Sequence, residues 1–178
     1  MARAKAKTAA VHPSGEAVRL GLQVKRLAAE LGLDDKKARR AGLLHDIGWY
    51  GGKAGHSRRG ALMVFTDETL PFDLQERGII STAVASHRGR VDPVSLPYYP
   101  LLLPENQKRA LMLTAMLRIA DGLDFLHTSS VSEVHCTSVS DKVFIDIHGT
   151  GDLSAEKDRA RIKGDIFARV FRSRPVIR

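Results

Sequence analysis

The stretch from Glu105 to about Leu126 repeats at helical spacing and is apolar on nearly every side. A helix of that kind cannot face water along any edge, so it predicts a central element wrapped by other helices. The chain before it supplies them. Ala17, Leu20, Val24, Leu27 and Leu31 fall three or four residues apart after Pro13 and stop at Gly32, the pattern of a first helix. A second is predicted from Asp34 to about Gly48, ended by Gly51-Gly52, and a short third from near His56 to about Phe65. Asp73 would cap a fourth that carries Ile79, Ile80, Ala83 and Val84 and stops at Gly89. The stretch "DPVSLPYYPLLLP", Asp92 to Pro104, holds too much proline for regular structure and reads as a covering loop.

After the central helix the period changes to alternation. Val131 to Val139, a turn at Ser140-Asp141, then Val143, Ile145 and Ile147 on one face predict a single β-hairpin at about 131–148. An amphipathic helix at about 154–172, through Ile162, Ile166, Phe167 and Val170, closes the chain. The expected class is mainly α, a helical bundle with a small C-terminal hairpin. With 178 residues and 43% apolar content, one core is expected over 11–178, preceded by a basic flexible tail at 1–10.

Cys136 is the one cysteine, which excludes an internal disulfide and a Cys-rich zinc module and makes the cytoplasm the expected compartment. The basic N-terminus lacks the apolar core of a signal peptide, and no apolar run approaches a membrane span, so no membrane partner is expected. A formal charge of +8 favours anionic partners: a phosphorylated small molecule, polyphosphate or nucleic acid. A homodimer is compatible with the same surface.

Ionisable groups that interrupt apolar faces carry the chemistry. His45 shares the inward face of Ala38, Ala41 and Gly42, His87 that of Ile80 and Ala83, and Asp121 follows Leu113 and Leu117 on the most apolar helix. A carboxylate there needs a cation or hydrogen-bond donors, and Arg118 one turn earlier is a candidate partner. Singly, each has an ordinary structural explanation. Together, His12, His45, Asp46, His56, His87 and Asp121 fall at the start, end or buried face of five helices, and helix ends can converge on one pocket. Four imidazoles and two carboxylates suit Mn²⁺, Fe²⁺, Co²⁺, Ni²⁺ or Zn²⁺ better than Mg²⁺. His12, His45, Asp46 and Asp121 would hold one ion, and His56 with His87 a second bridged by Asp46.

This order of residues resembles the HD superfamily of metal-dependent phosphohydrolases, whose ligand order is matched by His12, His45-Asp46 and Asp121, with His56 and His87 matching its two extra histidines. Within it, "LLHDIGWYGGKAGH", "VASHRGR", "LRIADGLDFLH" and "EKDRARIKGDIFARVF" look most like the C-terminal HD domain of the exopolyphosphatase and guanosine-pentaphosphate phosphohydrolase family. The exopolyphosphatase chemistry belongs to actin-like N-terminal domains, for which this chain has no room, so that activity is not carried over. Many HD phosphodiesterases place lysine directly after HDIG, where Trp49 stands here.

The resemblance implies an HD-domain bundle, one or two divalent transition-metal ions, and hydrolysis of a phosphoester or phosphoanhydride of a nucleotide or other small phosphorylated compound. His45 and Asp46 are the expected catalytic pair, and Lys53, Arg58 and Arg88 the expected phosphate contacts, preferred over Arg59 and Arg90. Two other readings stay open: a dinucleoside polyphosphate hydrolase, and a non-catalytic module that binds polyphosphate, a nucleotide or RNA. Tyr98 and Tyr99 read either as packing under the proline loop or as a wall for a base. His127, His135 and His148 receive no role.

Overall fold

The computed structural model describes residues 15–31 and 33–178; the 1–10 tail and His12 lie outside them. Among the described residues, seven α-helices and a three-stranded sheet follow in the order α1 (Gly15–Glu30), α2 (Asp35–Leu44), α3 (His56–Thr66), α4 (Leu74–Ser86), α5 (Pro104–Leu123), β1 (Val131–Val139), β2 (Lys142–Gly149), α6 (Ser154–Lys163), α7 (Asp165–Phe171) and β3 (Arg174–Ile177). The mainly helical class expected from the periodicity is the one observed.

α5 is the axis. Every residue from Leu113 to Leu123 is buried, and the helix packs against α1, α2, α4, α6 and α7. Pro104 at its first position has no N–H to leave unpaired. Asp34 caps α2, accepting from the Lys36 and Lys37 amides at 3.1 and 3.0 Å. Asp73 caps α4, accepting from the Glu76 amide at 2.7 Å. The 92–104 loop winds through two short 3-10 turns, and Tyr98 beneath it packs on Phe65 with ring centroids 4.8 Å apart.

Three expectations needed correction. The second helix stops at Leu44, and Ile47–Gly51 forms a 3-10 turn because Gly48 comes against the backbone of α3, which a continuing helix could not allow. The closing helix is two helices broken at Gly164, an abrupt change of direction that the amphipathic repeat did not reveal. The sheet has a third strand: β1 and β2 pair antiparallel as expected, and β3 pairs parallel with β2, Lys142 opposite Arg174 through Ile145 opposite Ile177. Four residues with a proline carry no alternation signal. Pro175 is tolerated because β3 is an edge strand, and the α6–α7 excursion returns the chain alongside β2.

Candidate metal centre

Three histidines reach one carboxylate from three helix ends. His45 is the C-cap of α2, His87 the C-cap of α4 and His56 the first residue of α3. Asp46 directly follows His45, in the turn where α2 gives way to the 3-10 segment. The Nε2 atoms of His45, His56 and His87 lie 3.3, 3.0 and 3.5 Å from the Asp46 carboxylate oxygens. Ligand atoms of Asp46, His56 and His87 all fall within 4.8 Å of one another. All three histidines are buried.

The other face of each ring is tied down by its own turn. His45 Nδ1 is 2.7 Å from the Gly42 carbonyl, His56 Nδ1 2.7 Å from that of Lys53, and His87 Nδ1 2.7 Å from that of Val84. A carbonyl oxygen only accepts, so each Nδ1 carries the hydrogen and donates it. A neutral ring held this way turns an Nε2 lone pair toward a carboxylate oxygen, and lone pair against lone pair is repulsive unless a cation lies between. The unmet demand is visible: His87 Nε2 and Asp46 Oδ1 are buried without a hydrogen-bond partner. Imidazole Nε2 atoms fixed through Nδ1–H to backbone carbonyls, with a carboxylate at their focus, make a donor set that fits a divalent transition metal.

Electrostatics agree. Burial, with His45 nearby, pushes the His87 imidazole down to about 4 against the pull of Asp46, so it is neutral and available as a ligand at pH 7. Burial alone would raise the Asp46 carboxyl, but positive charge on the facing His45 and His87 rings, the place a metal cation would take, draws it well below the usual carboxylate range, so it stays ionised. The unfolded chain takes up the His87 proton below about pH 6.5, the folded one only near pH 4. The metal-free protein is therefore expected to lose stability across that window, by at most about 1.4 kcal/mol per pH unit from this group. Equal urea midpoints at pH 7 and pH 5 would contradict a neutral, buried His87.

Not every expected site residue joins the focus. His12 lies outside the described residues. Asp121 is buried, but it is engaged by Lys163 Nζ and has Arg88 Nε at 3.9 Å, and it does not belong to the group formed by Asp46, His56 and His87. The alternative in which Asp121 pairs with Arg118 is not what the structure shows. Arg118 instead donates to the carbonyls of Ser86 and Gly89 at 2.9 Å each and reaches Asp165 at 3.0 Å, which ties the end of α4, where His87 sits, to the α6–α7 junction. Arg88 is half-buried beside Asp121; Lys53 and Arg58 are exposed on the turn and first helical turn that carry His56.

Lys163 is the residue that sequence reasoning missed. It sits at the end of α6, only 13% exposed at its side chain, and burial with the Arg88 and Arg118 guanidiniums lowers its ammonium to about 7 while Asp46 pulls it up. The only signal in the sequence was a lysine directly before Gly164 on an otherwise charged helix, and nothing local says that this end turns inward. Lys163→Met strips the buried Asp121 of its nearest cation. Its cost in the metal-free protein is expected to approach the roughly 3–5 kcal/mol of a broken buried pair, reduced because Arg88 stays close. Because Asp121 lies outside the group formed by Asp46, His56 and His87, Mn²⁺ is expected to leave that loss in place, and recovery of the melting temperature with Mn²⁺ would show that Asp121 takes the cation in place of Lys163.

Comparison with known proteins bears on the same region. The family model for the HD domain matches residues 17–128, well over half of the chain and all the described centre except Lys163. The chain belongs to the HD domain family. A divalent metal and phosphohydrolase-type chemistry follow at the level of the superfamily. Among its relatives, Ribonuclease Y of Bacillus thuringiensis (strain Al Hakam) is 44% identical over 71 residues, 39% of this chain and 13% of that protein. Ribonuclease Y of Geobacillus thermodenitrificans is 42% identical and that of Enterococcus faecalis 44%, each again over 71 residues. The matched stretch thus spans about an eighth of these relatives' own length. They point to a different member of the HD family from the exopolyphosphatase branch expected from the motifs between Leu43 and Phe171. Among the described residues no helix is long and apolar enough to cross a membrane.

Proposed function

We propose that this chain is a metal-dependent hydrolase of phosphoesters or phosphoanhydrides carried by nucleotides, with RNA phosphodiesters as its first substrate class. The observation that carries the reading is the convergence of three Nε2 atoms, each fixed through Nδ1 to a backbone carbonyl, on the Asp46 carboxylate. The likeness to Ribonuclease Y is what moves RNA ahead of polyphosphate and dinucleoside polyphosphates.

Bound at such a centre, a divalent ion supplies Lewis acidity, lowering the pKa of a water and offsetting phosphate charge. The chain's own residues do the rest. His45, His56 and His87 would present their Nε2 atoms to the ion and Asp46 its ionised carboxylate, which, held so far below its usual range, serves as a ligand rather than as a proton acceptor. Lys163 and Arg88 put positive charge beside Asp121, where a substrate phosphate would compete with that carboxylate for them. Lys53 and Arg58, exposed on the His56 turn, extend the cationic rim along a longer substrate.

The test is metal analysis of protein purified without chelator, then product release with Mn²⁺ from an oligoribonucleotide, a dinucleoside polyphosphate and inorganic polyphosphate. Turnover of the oligoribonucleotide that EDTA abolishes is the expected result. Turnover confined to the dinucleoside polyphosphate would favour the narrower hydrolase reading. Neither bound metal nor turnover with any divalent ion would overturn catalysis and leave a binding module.

A further inference from the structure

We propose that the exposed indole of Trp49 forms a stacking subsite for a nucleobase of the substrate. The inference rests on the reading of the chain as a phosphohydrolase, and it adds what that reading lacks, a device that distinguishes nucleotides from base-free phosphates.

Trp49 is 42% exposed and Tyr50 75%. Two aromatic residues adjacent in sequence and left in water forgo substantial burial unless something covers them. Their position says what would. The Trp49 ring centroid is 5.4 Å from that of His56, and the His56 ring is 5.5 Å from that of His87. His56 Nε2 in turn lies 3.0 Å from Asp46. The indole is therefore one ring removed from the donor set, and the exposed Lys53 and Arg58 flank His56 in sequence. A ligand that spans this ground is anionic at one end and flat and aromatic at the other, which describes a nucleotide and excludes inorganic polyphosphate.

The platform is also held rigid. Arg59 Nε donates to the Gly48 carbonyl at 2.8 Å and its Nη2 to the Gly52 carbonyl at 2.6 Å, so one guanidinium brackets the turn that carries both rings. The same guanidinium lies over the Tyr50 ring, 5.8 Å from its centroid. A ring fixed before binding loses little conformational freedom when a base stacks on it, and stacking tolerates any base because every base has a π-face. The Tyr98 ring, by contrast, is buried against Phe65 and cannot serve as that wall.

Trp49 is the one tryptophan in the chain, so intrinsic fluorescence reports on this position alone. Full-length, metal-free protein is titrated in EDTA with a hexameric oligoadenylate, with an abasic ribose-phosphate hexamer and with inorganic tripolyphosphate. A saturable change in indole emission with oligoadenylate, absent with the other two, is expected. Fluorescence anisotropy of labelled oligoadenylate should show binding weakened about 5- to 100-fold in Trp49→Ala and largely kept in Trp49→Phe. A melting temperature equal to wild type, expected for an exposed side chain, separates this loss from misfolding. Equal affinity of Trp49→Ala and wild type, or an equal emission change with tripolyphosphate, overturns the subsite. Because the titration needs no turnover, these outcomes stand apart from the wild-type hydrolysis assay, whose failure would overturn the enzymatic reading instead.

Discussion

Asp46→Ala is expected to lose bound metal and turnover together, with Mn²⁺ affinity down by more than about 100-fold. Removing a group that only supports a ligand lowers metal affinity 10- to 100-fold, and Asp46 is the group to which all three imidazoles point. The fold should survive better than the site. The Asp46 side chain is 21% exposed, and its loss relieves the Nε2 atoms of a carboxylate facing them. Isothermal titration with Mn²⁺ and urea melts of the metal-free protein separate the two effects. Wild-type affinity in Asp46→Ala would place the metal elsewhere, and a stability loss as large as the affinity loss would make Asp46 a structural residue.

Gly48→Ala is expected to damage the same centre through packing rather than chemistry. A Cβ at position 48 would lie inside the contact distance of the His56 carbonyl oxygen and 2.5 Å from the Gly60 nitrogen, both backbone atoms of α3. Neither can swing aside as a side-chain tip can, so the 3-10 turn and α3 must separate. Overpacking of this sort costs about 1–3 kcal/mol, and more where backbone must move. The displaced element carries His56 at its first residue, so weaker Mn²⁺ binding should accompany the lower urea midpoint. A variant with wild-type midpoint and wild-type Mn²⁺ affinity would mean that the turn adjusts without strain and that Gly48 does not set the approach of His56 to Asp46.

Much of the centre could be read along the chain because its parts are local. His45 and His87 end their helices, and each ring turns back to the carbonyl three residues earlier, one of the acceptors that a helix terminus leaves open. Gly89, at a φ of 67°, stops α4 just past His87, and a glycine there is visible as a stop signal in the sequence. What could not be read was the role of Asp121 and Arg118. Helical spacing brings them within one turn of each other, but each finds a partner in the segment between β2 and β3, Lys163 and Asp165. A one-turn pairing is a local expectation, and burial against α6 and α7 overrides it.

The sequence by itself determined which residues could ligate a metal, which faces of the helices turn inward and that α5 is central. Those follow from residue type and from the 3.6-residue period, both properties of short stretches of chain. The tertiary structure alone decided that His45, His56 and His87 meet at Asp46, that Lys163 enters from outside the family-matched region, and that β3 joins the sheet in parallel. Such meetings depend on how helices stack and where Gly164 turns the chain, interactions between residues tens of positions apart that no local period records.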